Sequence, residues 1–407
     1  MEIHCSANVL VMTIRLRRGT AAAVVAVVVV LTMPAAAHGS PGAAPTETAS
    51  DRLELPRPTG PYPVGAEVLH LTDHDRTDPW APTATARELM VSLRYPARGG
   101  SGGGHAAYMS TEEARLMLAG RGLGDDAPAE VSSAVTHAGA GATGIQSRFP
   151  LVLLSPGLGN HRATLTSLAE DLASRGYVVA SVDHAYESTG TVFPGGRMLT
   201  CRVCELLMPL PVEEGQKLLK AVSTERADDL SFVLDRLTGH RPAWHNSRMI
   251  DPRRVAVVGH SMGGNAAASA MLGDRRFDAG INMDGVFYDR IPAAGVDGRP
   301  FLMLGNPVDH HPGGPDSSWD EGWQGLDGWK RWLTLTGSYH STFTDAPVLG
   351  EHLGLPTNPG ATLSVERSIR ITRDYVAAFI DLHLKNRPQP LLDGQTPDNP
   401  EVVFNNP

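Results

Sequence analysis

The chain predicts an α/β fold, a mostly parallel central sheet with helices on both faces. Two observations carry this. From residue 149 onward short apolar runs alternate with amphipathic stretches, and the runs are continuous, as strands buried on both faces require. The 407 residues are 42% hydrophobic and 19% charged, ordinary globular usage and enough to bury a large core. A formal charge of −9, with no basic run after residue 18, argues against nucleic-acid binding.

Residues 1–37 read as an address. Arg15, Arg17 and Arg18 precede an apolar run from Ala21 to Leu31, and Ala35 and Ala37 fit an A-x-A cleavage pattern. The run is shorter than the roughly 20 residues a spanning helix needs, so a cleaved secretory signal is expected, with Met12 a better start than Met1. The protein is then expected outside the cell, with no membrane span after cleavage. The Pro-, Gly- and Ala-rich stretch 38–62 is expected as a flexible lead-in.

One α/β domain is expected over 63–390. Strand patterns fall at 67–71 and 88–95. A Gly-rich insertion at 99–144 follows, where Ser110 and Glu113 make an S-x-x-E capping box for a short helix. Strands are expected at 150–154, 177–182, 254–258, 279–283, 301–304 and 332–336. Helices are expected at 161–175, 212–237, 262–273, 318–331 and 363–386. A second insertion covers 185–212, and 391–407 reads as a tail. Cys201 and Cys204, spaced C-x-x-C, are expected as a local disulfide once outside the cell.

The chemistry is expected at strand ends, where ligands of such sheets bind. Gly259-His260-Ser261-Met262-Gly263 is a G-x-S-x-G, a weak signal alone in a chain with 43 glycines. Here it follows the strand RVAVV and precedes the Ala-rich helix NAAASAML, as a nucleophile elbow requires. A serine needs a base, and the base an orienting acid. His340, in GSYHSTF just after WLTLT, is the expected base, with His352 a fallback. Two acids are candidates, Asp284 at the end of AGINM and Asp309 after FLML; position alone favours Asp309. The turn Ser155–Asn160 after PLVLL offers backbone N–H groups for an oxyanion, beside that of Met262.

Over about residues 89–343 the chain resembles the platelet-activating factor acetylhydrolase type of α/β-hydrolase, plasma enzyme and bacterial lipase-like relatives included. The landmarks are LRYPA, FPLVLLSPGLG running into LASRGYVVASVDH, GHSMGG, INMDG and GSYHSTF. The resemblance implies an α/β-hydrolase fold and favours Asp284 as the acid. It assigns the oxyanion donors to the backbones of Leu158 and Met262, and implies a lipid or short-acyl ester as substrate. Pro156 stands where the family usually has His, and 184–212 departs from it, so substrate identity does not carry over.

The expectation is an exported serine hydrolase of carboxylic esters, using Ser261, His340 and Asp284, with no cofactor, metal or protein partner. Alternatives are a polyester- or amide-cleaving hydrolase of this fold, and an inactive binding scaffold. Asp309-His310-His311 with Asp316 reads poorly as a metal site, because adjacent histidines rarely chelate one ion. Asp183-His184 is expected to line the cleft wall. Trp319, Trp323, Trp329 and Trp332 fall near helical spacing and are expected in core packing rather than as a substrate platform.

Overall fold

The computed structural model describes residues 52–356 and 360–406. The expected signal, 1–37, and the first part of the lead-in, 38–51, lie outside the described residues. The strands are β1 (Val64–Asp73), β2 (Arg87–Pro96), β3 (Ala138–Ala140), β4 (Phe149–Ser155), β5 (Val178–His184), β6 (Thr191–Phe193), β7 (Arg197–Leu199), β8 (Ile250–His260), β9 (Ala279–Met283), β10 (Phe301–Gly305), β11 (Lys330–Leu335) and β12 (Val402–Phe404). The helices are α1 (Thr111–Leu118), α2 (Ala127–Ser132), α3 (Thr166–Ser174), α4 (Arg202–Leu207), α5 (Val212–Thr238), α6 (Met262–Gly273), α7 (Ser318–Gly325), α8 (Ala346–His352) and α9 (Val365–Lys385).

Among the described residues ten strands form one sheet, in the order β12-β11-β10-β9-β8-β4-β5-β2-β1-β3. The run from β5 to β11 is parallel; β2 joins β5, and β12 joins β11, antiparallel. Strand β4 (FPLVLLS) is buried along its whole length, which explains its uninterrupted apolar pattern. Helices α5 and α6 cover one face through Leu230, Val233, Ala266 and Met271. Helices α3 and α9 cover the other through Leu168, Leu172, Tyr375 and Phe379. The chain runs from β4 to β5 on one side and later returns to β8 on the other. The loops after β4 and β8 therefore meet at a switch point of the sheet.

Four expectations are corrected. Residues 52–62, the described part of the supposed flexible lead-in, are packed: Leu53 and Leu55 are buried among Met117, Leu118 and Val131, and the Leu55 N–H donates to Val135 O. Two leucines suffice to dock a Pro-rich segment when an apolar pocket awaits them. The 99–144 insertion forms the predicted capping box on α1, but it also adds β3 to the sheet edge beside β1. The tail is structural, since β12 pairs with β11 and Val402 is fully buried. The helix expected over 318–331 stops at Gly325 because Asp327 is held elsewhere, accepting from the N–H groups of Val296 and Gly298. Trp329 is therefore not on that helix, whereas Trp332 lies on β11 as expected, and Trp319 and Trp332 are both fully buried.

Candidate active site

Ser261 sits between the last residue of β8 and the first of α6, with φ +56° and ψ −122°. That conformation is costly for a residue with a Cβ and survives only where neighbours over-determine it. They do: the Ser261 N–H donates to Met283 O, and its carbonyl accepts from the N–H groups of Gly264 and Asn265. The turn is so tight that a Cβ on Gly259 would lie 2.0 Å from the Gly263 carbonyl. One on Gly263 would lie 1.9 Å from Ser155 O. Gly263→Ala should consequently cost about 3 kcal/mol or more, because the atoms it would meet are the backbone of Ser155 and Pro156, which cannot rotate away as a side chain could. A thermal melt showing an unchanged midpoint would contradict this.

His340 follows β11 on a short 3-10 turn. Its Nε2 lies 2.9 Å from Ser261 Oγ, and its Nδ1 lies 2.6 Å from Asp284 Oδ2. A carboxylate only accepts, so Nδ1 carries the proton and Nε2 of the neutral ring presents a lone pair to the serine hydroxyl. Ser261 is half-buried and the His340 side chain keeps 18% of its surface, so the pair is reachable. Asp284 is fully buried at the end of β9, with φ +61°. Asn282 closes its turn, accepting from the Gly285 N–H and donating to the Gly285 carbonyl. Burial alone would raise the Asp284 pKa, but His310 and His340 outweigh it and hold the carboxyl well below the usual range.

His260, the x before the serine, steadies the His340 loop by donating from Nε2 to His340 O at 2.8 Å. Burial and the neighbouring His340 push its pKa down to about 3, so it stays neutral.

The turn after β4 runs directly beside the serine: a Cβ on Gly157 would meet Ser261 Cβ at 3.2 Å. Met262 opens α6, so its N–H is not used by the helix. Leu158 and Met262 share an apolar wall with Trp80, Val203 and Leu207. Beneath the turn, Arg226 donates to Pro156 O at 2.5 Å and pairs with Glu187 at 2.6 Å. The Glu187 carbonyl in turn accepts from the Gly159 N–H.

Comparison with known proteins sharpens this picture. The family described as platelet-activating factor acetylhydrolase, isoform II, matches residues 104–194. A probable 1-alkyl-2-acetylglycerophosphocholine esterase of Arthroderma benhamiae is 28% identical over 86% of this chain and 93% of its own. A solved structure, the ferulic acid esterase from Streptomyces cinnamoneus, is 43% identical with a TM-score of 0.76, covering 86% of this chain and 99% of that one. The chain belongs to the platelet-activating factor acetylhydrolase-like family of α/β-hydrolases. It is a carboxylic ester hydrolase. Within the family, the bovine platelet-activating factor acetylhydrolase is 25% identical, and the match spans 57% of its length. The prolyl oligopeptidase family also matches residues 213–291, from α5 through the elbow.

Of the expected site residues, the structure brings Ser261, His340 and Asp284 together and sets Leu158 and Met262 beside them. It leaves Asp309 outside, half-buried and within 3.3 Å of Asn306 Nδ2. His352 ends α8 and faces Glu130 at 3.6 Å. Cys201 and Cys204 form a disulfide at the start of α4. Asp183 and His184 are corrected: both are buried below the cleft rather than lining it. Asp183 binds Arg162 and His161, while His184 bridges Ser155 and Asp229. Sequence reasoning missed Asn282, His260, Arg226 and His310. Only Asn282 carried a local signal, standing two residues before Asp284 in a turn that ends in glycine.

Proposed function

We propose that the protein is an exported serine hydrolase working through an acyl-enzyme on Ser261, with His340 as base and Asp284 as orienting acid. The observation that carries this is the unbroken chain Ser261 Oγ–His340 Nε2–Asp284, at 2.9 and 2.6 Å, on a half-buried elbow. Ser261 Oγ attacks the ester carbonyl as its proton passes to His340 Nε2, and Asp284 stabilises the imidazolium. The oxyanion receives the N–H groups of Leu158 and Met262, each typically worth about 3–4 kcal/mol in the transition state. His340 returns the proton to the leaving alkoxide. Water then attacks the acyl-enzyme by the same route, freeing the acid and restoring Ser261.

The apolar wall of Trp80, Leu158, Val203, Leu207 and Met262 beside the serine suits an acyl group without charge. The relatives' names supply two such acyls, acetyl on a glycerophospholipid and ferulate. A short or planar acyl ester is therefore the proposed substrate class. Export rests on the signal-like 1–37 segment, and no helix among the described residues is long and apolar enough to cross a membrane. A purely binding role fits poorly with a reachable serine already in contact with its base.

The test is hydrolysis of p-nitrophenyl esters from acetyl to palmitoyl, with methyl ferulate and a 1-alkyl-2-acetylglycerophosphocholine alongside. Turnover should be highest on short acyl groups or on ferulate and fall toward palmitoyl. A palmitoyl optimum would make the protein a long-chain lipase. No turnover, together with no fluorophosphonate labelling of Ser261, would overturn the mechanism.

A further inference from the structure

Asp284 serves two histidines. While Oδ2 faces His340, Oδ1 lies 2.6 Å from Nδ1 of His310, a residue on the loop between β10 and α7. The other ring nitrogen of His310 lies 3.1 Å from Asp316 Oδ2. Both nitrogens therefore meet carboxylates, which only accept, so both carry protons and the ring is a cation. It is held rigidly. His310 is 3% exposed and stacks on Trp319, with centroids 4.3 Å apart and planes 17° from parallel. Its carbonyl accepts from Trp332 Nε1 and Thr334 Oγ1.

We propose that His310 is a positioning residue of the esterase site: braced by Asp316, it fixes the Asp284 carboxylate and tempers the negative charge that Asp284 presents to His340. The proposal rests on the reading of Ser261, His340 and Asp284 as the triad. His310 shares Oδ1 with the N–H and side-chain amide of Asn306, which also donates to Oδ2. The carboxylate is thereby fixed with Oδ2 toward His340, and His310 is the charged member of that set. Placing a cation on the same carboxylate weakens its hold on an imidazolium at His340. Burial opposes the charge on His310, but Asp284 and Asp316 raise its pKa to about 9, so the cation persists through the working range. The other titratable groups facing this cluster are His260 at the end of β8, Tyr288 near Asp316, and Asp309, which reaches it through Asn306.

The experiment is kcat/KM against pH, from about 4.5 to 9, for the wild-type protein, His310→Gln and Asp316→Asn on the best p-nitrophenyl ester. Glutamine keeps a donor for Asp284 Oδ1 but removes the charge. Its acid limb should move upward by about one pH unit, with the plateau falling less than tenfold. Asp316→Asn, which retains an acceptor for the Ser318 N–H, should move the limb the same way by less. A lowered plateau with an unmoved limb would mean that His310 only supports the fold, and would overturn the proposal. Should His310→Gln fail to fold, an unmoved limb in Asp316→Asn overturns it equally. Ser261→Ala run in parallel separates the failures. Turnover that survives it defeats the triad reading, whereas turnover that dies with the serine while the limb stays put defeats only the role of His310.

Discussion

Ser261→Ala should lower kcat for ester hydrolysis by roughly 10⁴ to 10⁶ while leaving the fold intact. The size follows from mechanism: without Oγ no acyl-enzyme forms, and what remains is whatever the oxyanion groups do for attack by water. The stability cost should be small. The Ser261 side chain makes one hydrogen bond, to His340 Nε2, and is half-buried. Alanine inherits the same backbone conformation, and the contacts that hold it are main-chain ones from Met283, Gly264 and Asn265. His340 keeps Asp284, so the base does not lose its anchor. Steady-state assays and a thermal melt check both halves. Retained turnover would remove Ser261 from the mechanism, and a collapsed melt would leave the loss of activity uninterpretable without a labelling control.

Asp284→Asn should cost about 10⁴ in kcat, and Asp309→Asn no more than about threefold. An asparagine amide turned toward His340 would donate where the ring also donates. Forced to accept, the ring would adopt the tautomer whose Nε2 carries a proton and cannot take one from serine. The substitution also strips the negative charge that the His340 imidazolium needs, and it leaves His310 with Asp316 as its remaining carboxylate. Asp309, by contrast, is a half-buried loop carboxylate whose side-chain contact is a 3.3 Å approach from Asn306 Nδ2. Because Asp284 is fully buried and accepts from Asn306 as well as both histidines, its variant should be assayed well below its melting temperature. The reverse ranking would move the acid to the later strand.

The choice between these acids shows how far the chain could be read in one dimension. Spacing along the sequence favoured Asp309, and only a family resemblance favoured Asp284. Both follow strands that lie side by side in the sheet, β9 and β10. What separates them is the turn after β9, where Asn282 and a positive φ at Asp284 bend the carboxylate toward the loop that carries His340. His310 was passed over for a similar reason. As one of two adjacent histidines beside an aspartate it suggested a weak metal site, and nothing local says that its ring stacks on Trp319 or reaches a carboxylate 26 residues away.

The sequence by itself determined the parallel sheet, the elbow and the serine on it, because these depend on short-range rules. Burial on both faces writes a continuous apolar run, and a turn in which Gly263 approaches Ser155 O writes glycine. It also announced the capping box of α1, whose partners are three residues apart. Only the tertiary structure decided which carboxylate meets His340, that Asp183 and His184 lie beneath the cleft, and that a Pro-rich segment and the C-terminal tail belong to the folded body. The physical reason is common to all of these. Each is a pairing of polar or apolar groups distant in sequence, selected by burial and hydrogen-bond geometry at the ends and edges of the sheet. No local pattern encodes which distant partner will arrive there.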